Sequence, residues 1–163
     1  MDVTFRKLAG RRYSMSIARE RGPALAPRNG PGYDDYLPHD AVHFLVEAEA
    51  RLARGVFGQI AAGRNNIFWP ADPSRRRHQA RLEKKKKPTV SEYADMTSSE
   101  RLASLCQPLW ELRAGHRSRL PDWLTLDSPA SPLVERILDR LDEFAGRWRS
   151  LPTGGSITLT WPL

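Results

Sequence analysis

The sequence predicts an α+β fold, in which a small antiparallel sheet from both chain ends packs against a bundle of about four helices. Two segments near the N-terminus and one near the C-terminus alternate apolar and polar residues, which is typical of strands. The middle of the chain carries apolar residues at helical spacing, several of them after typical helix-start signals. Because an isolated hairpin is only marginally stable, we expect the C-terminal strand to join the N-terminal hairpin.

The composition indicates a single domain over residues 1–163. A chain of 163 residues with 40% hydrophobic residues is long enough to bury one core. The single cysteine, Cys106, excludes an intramolecular disulfide and a multi-cysteine zinc site, and we expect it to be a small core residue. No apolar segment approaches the ~18 residues of a membrane span, and the N-terminus lacks a signal-peptide pattern. We therefore expect a cytoplasmic protein with no membrane partner.

The predicted strands are a hairpin over residues 3–17 and a terminal strand over residues 157–161. Val3 and Phe5 alternate with polar residues in the first strand, and Gly10 suits the turn that follows because glycine tolerates a positive φ. Between hairpin and first helix, the proline- and glycine-rich residues 22–32 predict an irregular linker.

The best-defined helix start follows this linker. Pro38 suits the first helical position, Asp40 suits the positive end of the helix dipole, and Gly55 is expected to end the helix. A second helix is predicted over residues 56–62, with Gly63 just beyond its end.

Two further helices are predicted in the second half of the chain. Thr97 and Glu100 match a capping box, and the helix after them should be kinked or split at Pro108. Ser131 and Pro132 form another strong start, followed by a continuous apolar face over residues 133–148.

The first helix carries the candidate site. His39 and His43 lie one turn apart, and Glu47 continues their row, which is a spacing that allows two imidazoles to reach one metal ion. The segment resembles the zincin pattern H-E-x-x-H, except that Asp40 replaces the glutamate that acts as general base. Since aspartate is one methylene shorter, it would miss the metal-bound water. We consider metal binding, by zinc or another divalent ion, and acid–base catalysis without a metal. Further ligands could come from Asp34, Asp35, His78 or His116.

A purely structural interpretation of the same residues is favoured. His39 would then bond to Asp34 or Asp35, and His43 would pair with Asp40 or Glu47. Glu49 falls on the apolar side of the helix and is expected to find an arginine or a backbone N–H, because buried acids are rarely left alone.

A basic insertion is predicted at residues 70–95, either as an exposed helix or as a flexible loop. Residues 74–88 have almost no apolar side chains, so this part is not suited to lie in a membrane surface. Its positive charge would bind phosphates in a salt-dependent way, and Trp69 just upstream could stack on bases. No helix-turn-helix, zinc-finger or RNA-binding signature accompanies it. The candidate contacts to nucleic acid or an acidic protein are Arg75, Arg76, Arg77, Arg81, Lys84, Lys85, Lys86 and Lys87.

The segment Tyr36-Leu-Pro-His-Asp-Ala-Val-His-Phe-Leu-Val-Glu47, with the glycine-rich residues 55–63, resembles a motif of small uncharacterised bacterial proteins, actinobacterial ones especially. The arrangement of Trp148, Gly155 and Trp161 is similar too. The resemblance covers a minority of the chain. It implies a cytoplasmic bacterial protein and carries over no activity or functional residue.

Two functions follow from these observations. The first is a cytoplasmic binding protein that contacts nucleic acid or an acidic protein through residues 75–87, with no cofactor. The alternative is a small metal-dependent or acid–base enzyme, hydrolase-like, centred on His39, Asp40, His43 and Glu47.

Overall fold

The computed structural model describes residues 1–31, 36–64, 67–85, 87–124 and 131–163. It contains a four-stranded antiparallel sheet in which both chain ends meet, as the sequence predicts. The strand order is β3-β2-β1-β4, so the first strand lies inside the sheet between the hairpin partner and the C-terminal strand. The strands are β1 (Asp2–Lys7), β2 (Tyr13–Ala18), β3 (Arg28–Asn29) and β4 (Ser156–Thr160).

The register of the sheet places alternate side chains on one buried face. Phe5 lies opposite Met15 in β2 and opposite Ile157 in β4, and all three are buried. Gly10 in the hairpin turn has φ +67°, which confirms its predicted role. The two-residue strand β3 was not predicted, because it falls in the proline- and glycine-rich linker.

Five helices cover the buried face of the sheet or extend from it. They are α1 (His39–Glu49), α2 (Val56–Ala61), α3 (Pro73–Lys85), α4 (Val90–Arg113) and α5 (Pro132–Ser150). Helix α1 packs against both α4 and α5, which also pack on each other. The core therefore lies between the sheet and these three helices. Cys106 is fully buried in it, as predicted, and burial raises the pKa of its thiol to about 12. Within the described residues, no helix combines the length and apolar character that a membrane crossing requires.

The helix boundaries correct several predictions. Thr89 and Glu92, not Thr97 and Glu100, form the capping box of α4, and the helix continues through Pro108 without a split. Both sequence pairs match the capping pattern, but the one directly after Pro88 starts the helix. An ion pair of 2.9 Å between Arg64 and Glu92 ties this first turn to the body of the protein.

The first helix also differs at both ends. Pro38 is the N-cap residue rather than the first helical residue, and the helix ends at Glu49, before a turn in which Arg51 has φ +55°. Gly55 does not end α1; it is the N-cap of α2. The predictions for α5 are confirmed, since the Ser131 side chain accepts a bond from the N–H of Val134 and Pro132 opens the helix.

The basic insertion is largely helical, because α3 occupies most of residues 70–85 and α4 begins at Val90. Of the two predicted forms, an exposed helix and a flexible loop, the helix is present. Helix α3 makes few contacts with the other elements, unlike α1, α4 and α5.

Two helical glycines give a matched test of packing. A Cβ at Gly58 in α2 would lie 2.0 Å from the carbonyl oxygen of Ala53, whereas a Cβ at Gly146 in α5 would meet nothing within 4 Å. We expect Gly146→Ala to stabilise the protein by ~0.5–1 kcal/mol, because alanine has the higher helix propensity. We expect Gly58→Ala to destabilise it by about 1–3 kcal/mol through overpacking. Urea unfolding of both variants measures the difference, and equal stabilities would contradict this account of α2.

Candidate functional site

A fully buried carboxylate, that of Glu47, joins three helices. Its two oxygens accept hydrogen bonds from the backbone N–H groups of Val56 and Phe57, each at 2.9 Å, and from the Ser99 hydroxyl at 2.9 Å. The side chain of α1 thus caps the start of α2 and binds α4. Gly55 leaves the necessary space, since a Cβ there would lie 2.4 Å from the carboxyl carbon of Glu47. The three donors compensate for much of the cost of burying a carboxylate.

The environment raises the pKa of the Glu47 carboxyl to about 7. Burial is the main cause, because it disfavours the charged form, and the negative charge of Asp95 acts in the same direction. The hydrogen bonds from Phe57, Ser99 and Val56 oppose the rise, because they favour the carboxylate. The protonation of Glu47 therefore changes near neutral pH.

The imidazole of His43 joins this network through Ser99. Its Nδ1 lies 3.1 Å from the Ser99 Oγ. A serine hydroxyl has one proton, and when Glu47 is ionised that proton is donated to the carboxylate. The Ser99 oxygen must then accept from His43, which places the imidazole proton on Nδ1 and leaves a lone pair on Nε2. Burial lowers the pKa of His43, and nearby His39 adds to this, while Glu100 and Asp40 oppose it. His43 is thus kept neutral.

The other two predicted residues point in different directions. His39 is exposed at the start of α1, and its ring meets the His43 ring edge-on with centroids 4.8 Å apart. Asp40 is buried and accepts a 2.7 Å bond from the Tyr13 hydroxyl, with Arg28 at 3.5 Å. Asp40 therefore ties α1 to the sheet and is not oriented as a base beside the histidines.

The expected direct pairing of His43 with Asp40 or Glu47 is wrong, because Ser99 lies between His43 and Glu47. The expected bond from His39 to Asp34 or Asp35 concerns residues outside the described ranges. For Glu49 the expectation of an arginine partner is confirmed, with Arg140 at 3.5 Å and Arg136 at 3.9 Å.

The described residues contain no group of three or more histidine, cysteine, aspartate or glutamate side chains that could hold a metal ion. Glu47 cannot complete such a group with the two imidazoles while its oxygens bond to α2 and Ser99. His116 stacks on Tyr36 at 3.6 Å instead, and His78 lies on the exposed helix α3.

A cavity of about 170 Å³ opens beside the histidines. Residues of α1 and α4 form most of its wall, and the segment after α4 completes it. Within the wall, the carboxylate of Glu111 is paired with the guanidinium of Arg117 at 2.7 Å. The lining residues used below are His39, His43, Glu100, Glu111, Arg117 and Trp123.

Sequence reasoning missed Ser99, which connects the network. A signal for it was present, because Ser99, Ala103, Cys106 and Trp110 recur at helical spacing and form a buried face of α4. A serine on such a face needs a hydrogen-bond partner. The mistaken capping box hid this signal, because it placed Ser99 in a first turn open to solvent.

The predicted binding residues that the structure describes are exposed, and all of them except Lys87, which follows the helix, lie on α3. Arg75 pairs with Asp72 at 3.4 Å, and the Arg76 Nε donates to the carbonyl of Pro70 at 3.3 Å. The other described cations of α3 have no ion pair among the described residues: Arg77, Arg81, Lys84 and Lys85.

No protein-family model, curated protein or solved structure matches the chain. The resemblance to small bacterial proteins therefore stays a prediction, and function is inferred from the two sites themselves.

The raised pKa of Glu47 has a defined effect on stability. The Glu47 carboxyl binds its proton more tightly in the folded state, with a pKa of about 7, than in the unfolded state, with a pKa near 4.5. This difference stabilises the folded state fully below the unfolded pKa, and the stabilisation is lost as the pH rises through about 7. Relative to Glu47→Gln, which does not titrate, the wild type should therefore lose about 3 kcal/mol of unfolding free energy between these pH values. His43 is present in both proteins, so its own proton uptake cancels to first order. Urea unfolding at a series of pH values measures the difference.

Ser99→Ala provides the second arm of this test. The Ser99 hydroxyl lowers the pKa of Glu47, so its removal should shift the loss of stability to higher pH. The raised pKa of Glu47 would be contradicted if the unfolding free energy of the wild type, relative to Glu47→Gln, were independent of pH or increased as the pH rises.

Proposed function

We propose that this protein binds nucleic acid through the phosphate backbone, using the basic helix α3, in the cytoplasm of a bacterial cell. The observation that carries the proposal is where the excess charge lies. The chain has 26 basic and 19 acidic residues, a net charge of +7. Residues 73–87 contain eight of the basic residues and one of the acidic residues, so this segment alone has a net charge of +7. The remaining 18 basic and 18 acidic residues balance, which excludes a general basic bias of composition.

The described cations form a stripe along one side of α3. Arg77, Arg81, Lys84 and Lys85 stand at i, i+4, i+7 and i+8, which lie on one face of a helix. The stripe is about 12 Å long at 1.5 Å per residue. Duplex DNA carries one negative charge per ~1.7 Å of axis, so about seven phosphate charges lie along the same length. The stripe therefore has the charge density to replace bound counterions.

The way α3 is built supports a binding role over a structural one. Its packing contacts with the rest of the protein are few, and its side chains over residues 73–78 are all exposed. A helix of such polarity gains little stability from packing, so the positive charge on one of its faces serves no requirement of the fold. Trp69, with 56% of its surface exposed, lies shortly before α3 and offers an aromatic face for an unpaired base.

Phosphate contacts through lysine and arginine carry no base information, so we expect binding with little sequence preference. An acidic protein would meet the same charges and is the competing partner. The two partners differ in that a nucleic acid releases condensed counterions, which makes its binding constant fall steeply with salt.

A charge-matched pair of variants tests this proposal. The stripe variant replaces Arg77, Arg81, Lys84 and Lys85 with glutamine. The control variant makes the same number of changes at exposed arginines of other elements, so both lose equal net charge; these are Arg101, Arg119, Arg147 and Arg149. Fluorescence anisotropy with labelled duplex DNA and single-stranded RNA, over a series of salt concentrations, gives the affinities.

We expect the stripe variant to bind at least roughly tenfold more weakly at low salt, with a log–log salt slope less steep by about three to four. The control variant should stay within a few-fold of the wild type. Absence of wild-type binding at low salt, or equal losses in both variants, would overturn the proposal. If poly-glutamate displaced the nucleic acid at equal charge concentration, that result would favour an acidic protein as the partner instead of a nucleic acid.

A further inference from the structure

The cavity beside α1 contains an acceptor that has no hydrogen-bond partner among the described residues. The His43 side chain is only 10% exposed, and when Glu47 is ionised its Nε2 carries a lone pair, because Ser99 then holds the imidazole proton on Nδ1. The Glu100 Oε2 lies 4.0 Å from Nε2, beyond hydrogen-bond distance. A solvent or ligand molecule must therefore supply the donor.

The distance of 4.0 Å between His43 Nε2 and Glu100 Oε2 indicates the geometry that such a donor needs. One nitrogen or oxygen atom, at about 2.8 Å from both acceptors, can bridge them with two hydrogen bonds roughly at right angles. A primary ammonium group has N–H bonds in an arrangement close to this. A single N–H or a tertiary ammonium ion cannot satisfy both acceptors.

We propose that this cavity binds a small primary ammonium ion, which bridges His43 Nε2 and Glu100. The site is independent of nucleic-acid binding, because no residue of α3 lines the cavity.

The size and charge of the cavity agree with such a ligand. A volume of about 170 Å³ holds roughly six water-sized groups at ~30 Å³ each. The carboxylate of Glu111 is neutralised by Arg117, which leaves Glu100 as the unpaired charge of the wall among the described residues. A cation is therefore favoured over an anion. Trp123, which is 66% exposed and also lines the cavity, adds an aromatic surface that attracts cations.

Ligand titration followed by NMR of the His43 imidazole tests the proposal on the full-length protein. Ethylammonium chloride is the probe, and tetramethylammonium chloride, which has no N–H, is the control at equal ionic strength. The signals are assigned with His43→Gln. We expect a saturable shift of the His43 signals with ethylammonium alone.

Two variants test the contact with Glu100. Glu100 is exposed, so Glu100→Gln should fold normally and bind ethylammonium roughly tenfold more weakly. Asp142→Asn, an equal loss of charge on the exposed side of α5, should bind like the wild type.

A linear response shared with tetramethylammonium, or equal affinity of the Glu100→Gln and Asp142→Asn variants, would overturn the ammonium site. Equal affinity for ethanol would overturn the choice of a cation.

Discussion

The burial of the Glu47 carboxylate is the constraint on which the arrangement of the helices depends. A fully buried charge is tolerated only where donors surround it, and here the donors come from two other helices. The turn after α1 must therefore bring the start of α2 back over the same side chain, with Gly55 at the point of closest approach. This explains why α1 ends early and α2 begins where it does.

The same carboxylate determines the chemistry of its neighbours. Because the ionised Glu47 accepts the hydrogen bond of the Ser99 hydroxyl, it fixes the tautomer of His43 without contacting the imidazole. The histidine is thus prepared by an interaction whose primary effect is to hold α1 and α4 together. The charges of helix α3 differ from the buried Glu47 carboxylate in that they are exposed and largely unpaired, so the fold does not depend on them.

The fold was predictable where local signals were sufficient. Alternation predicted three of the four described strands, and Ser131 with Pro132 predicted the start of α5, because those signals act within a few residues. The start of α4 was missed because Thr97 matches the capping pattern as well as Thr89 does, and only contacts distant in sequence decide between them. The hydrogen-bond partners of Glu47 could not be predicted from the sequence, for a related reason. Two of them are backbone N–H groups, which every residue except proline has.

The resemblance of residues 39–43 to a zincin helix fails for a physical reason that the spacing cannot reveal. A metal could approach only the Nε2 of His43, because Nδ1 bonds to Ser99; this arrangement is usual for a metal-binding histidine and does not by itself prevent coordination. Asp40, which stands in the place of the general base, is turned to the Tyr13 hydroxyl. Glu47 could serve as a third ligand only by giving up the cap of α2. Metal binding at this helix would therefore compete with the fold, whereas a hydrogen-bond donor at Nε2 of His43 leaves every one of these contacts in place.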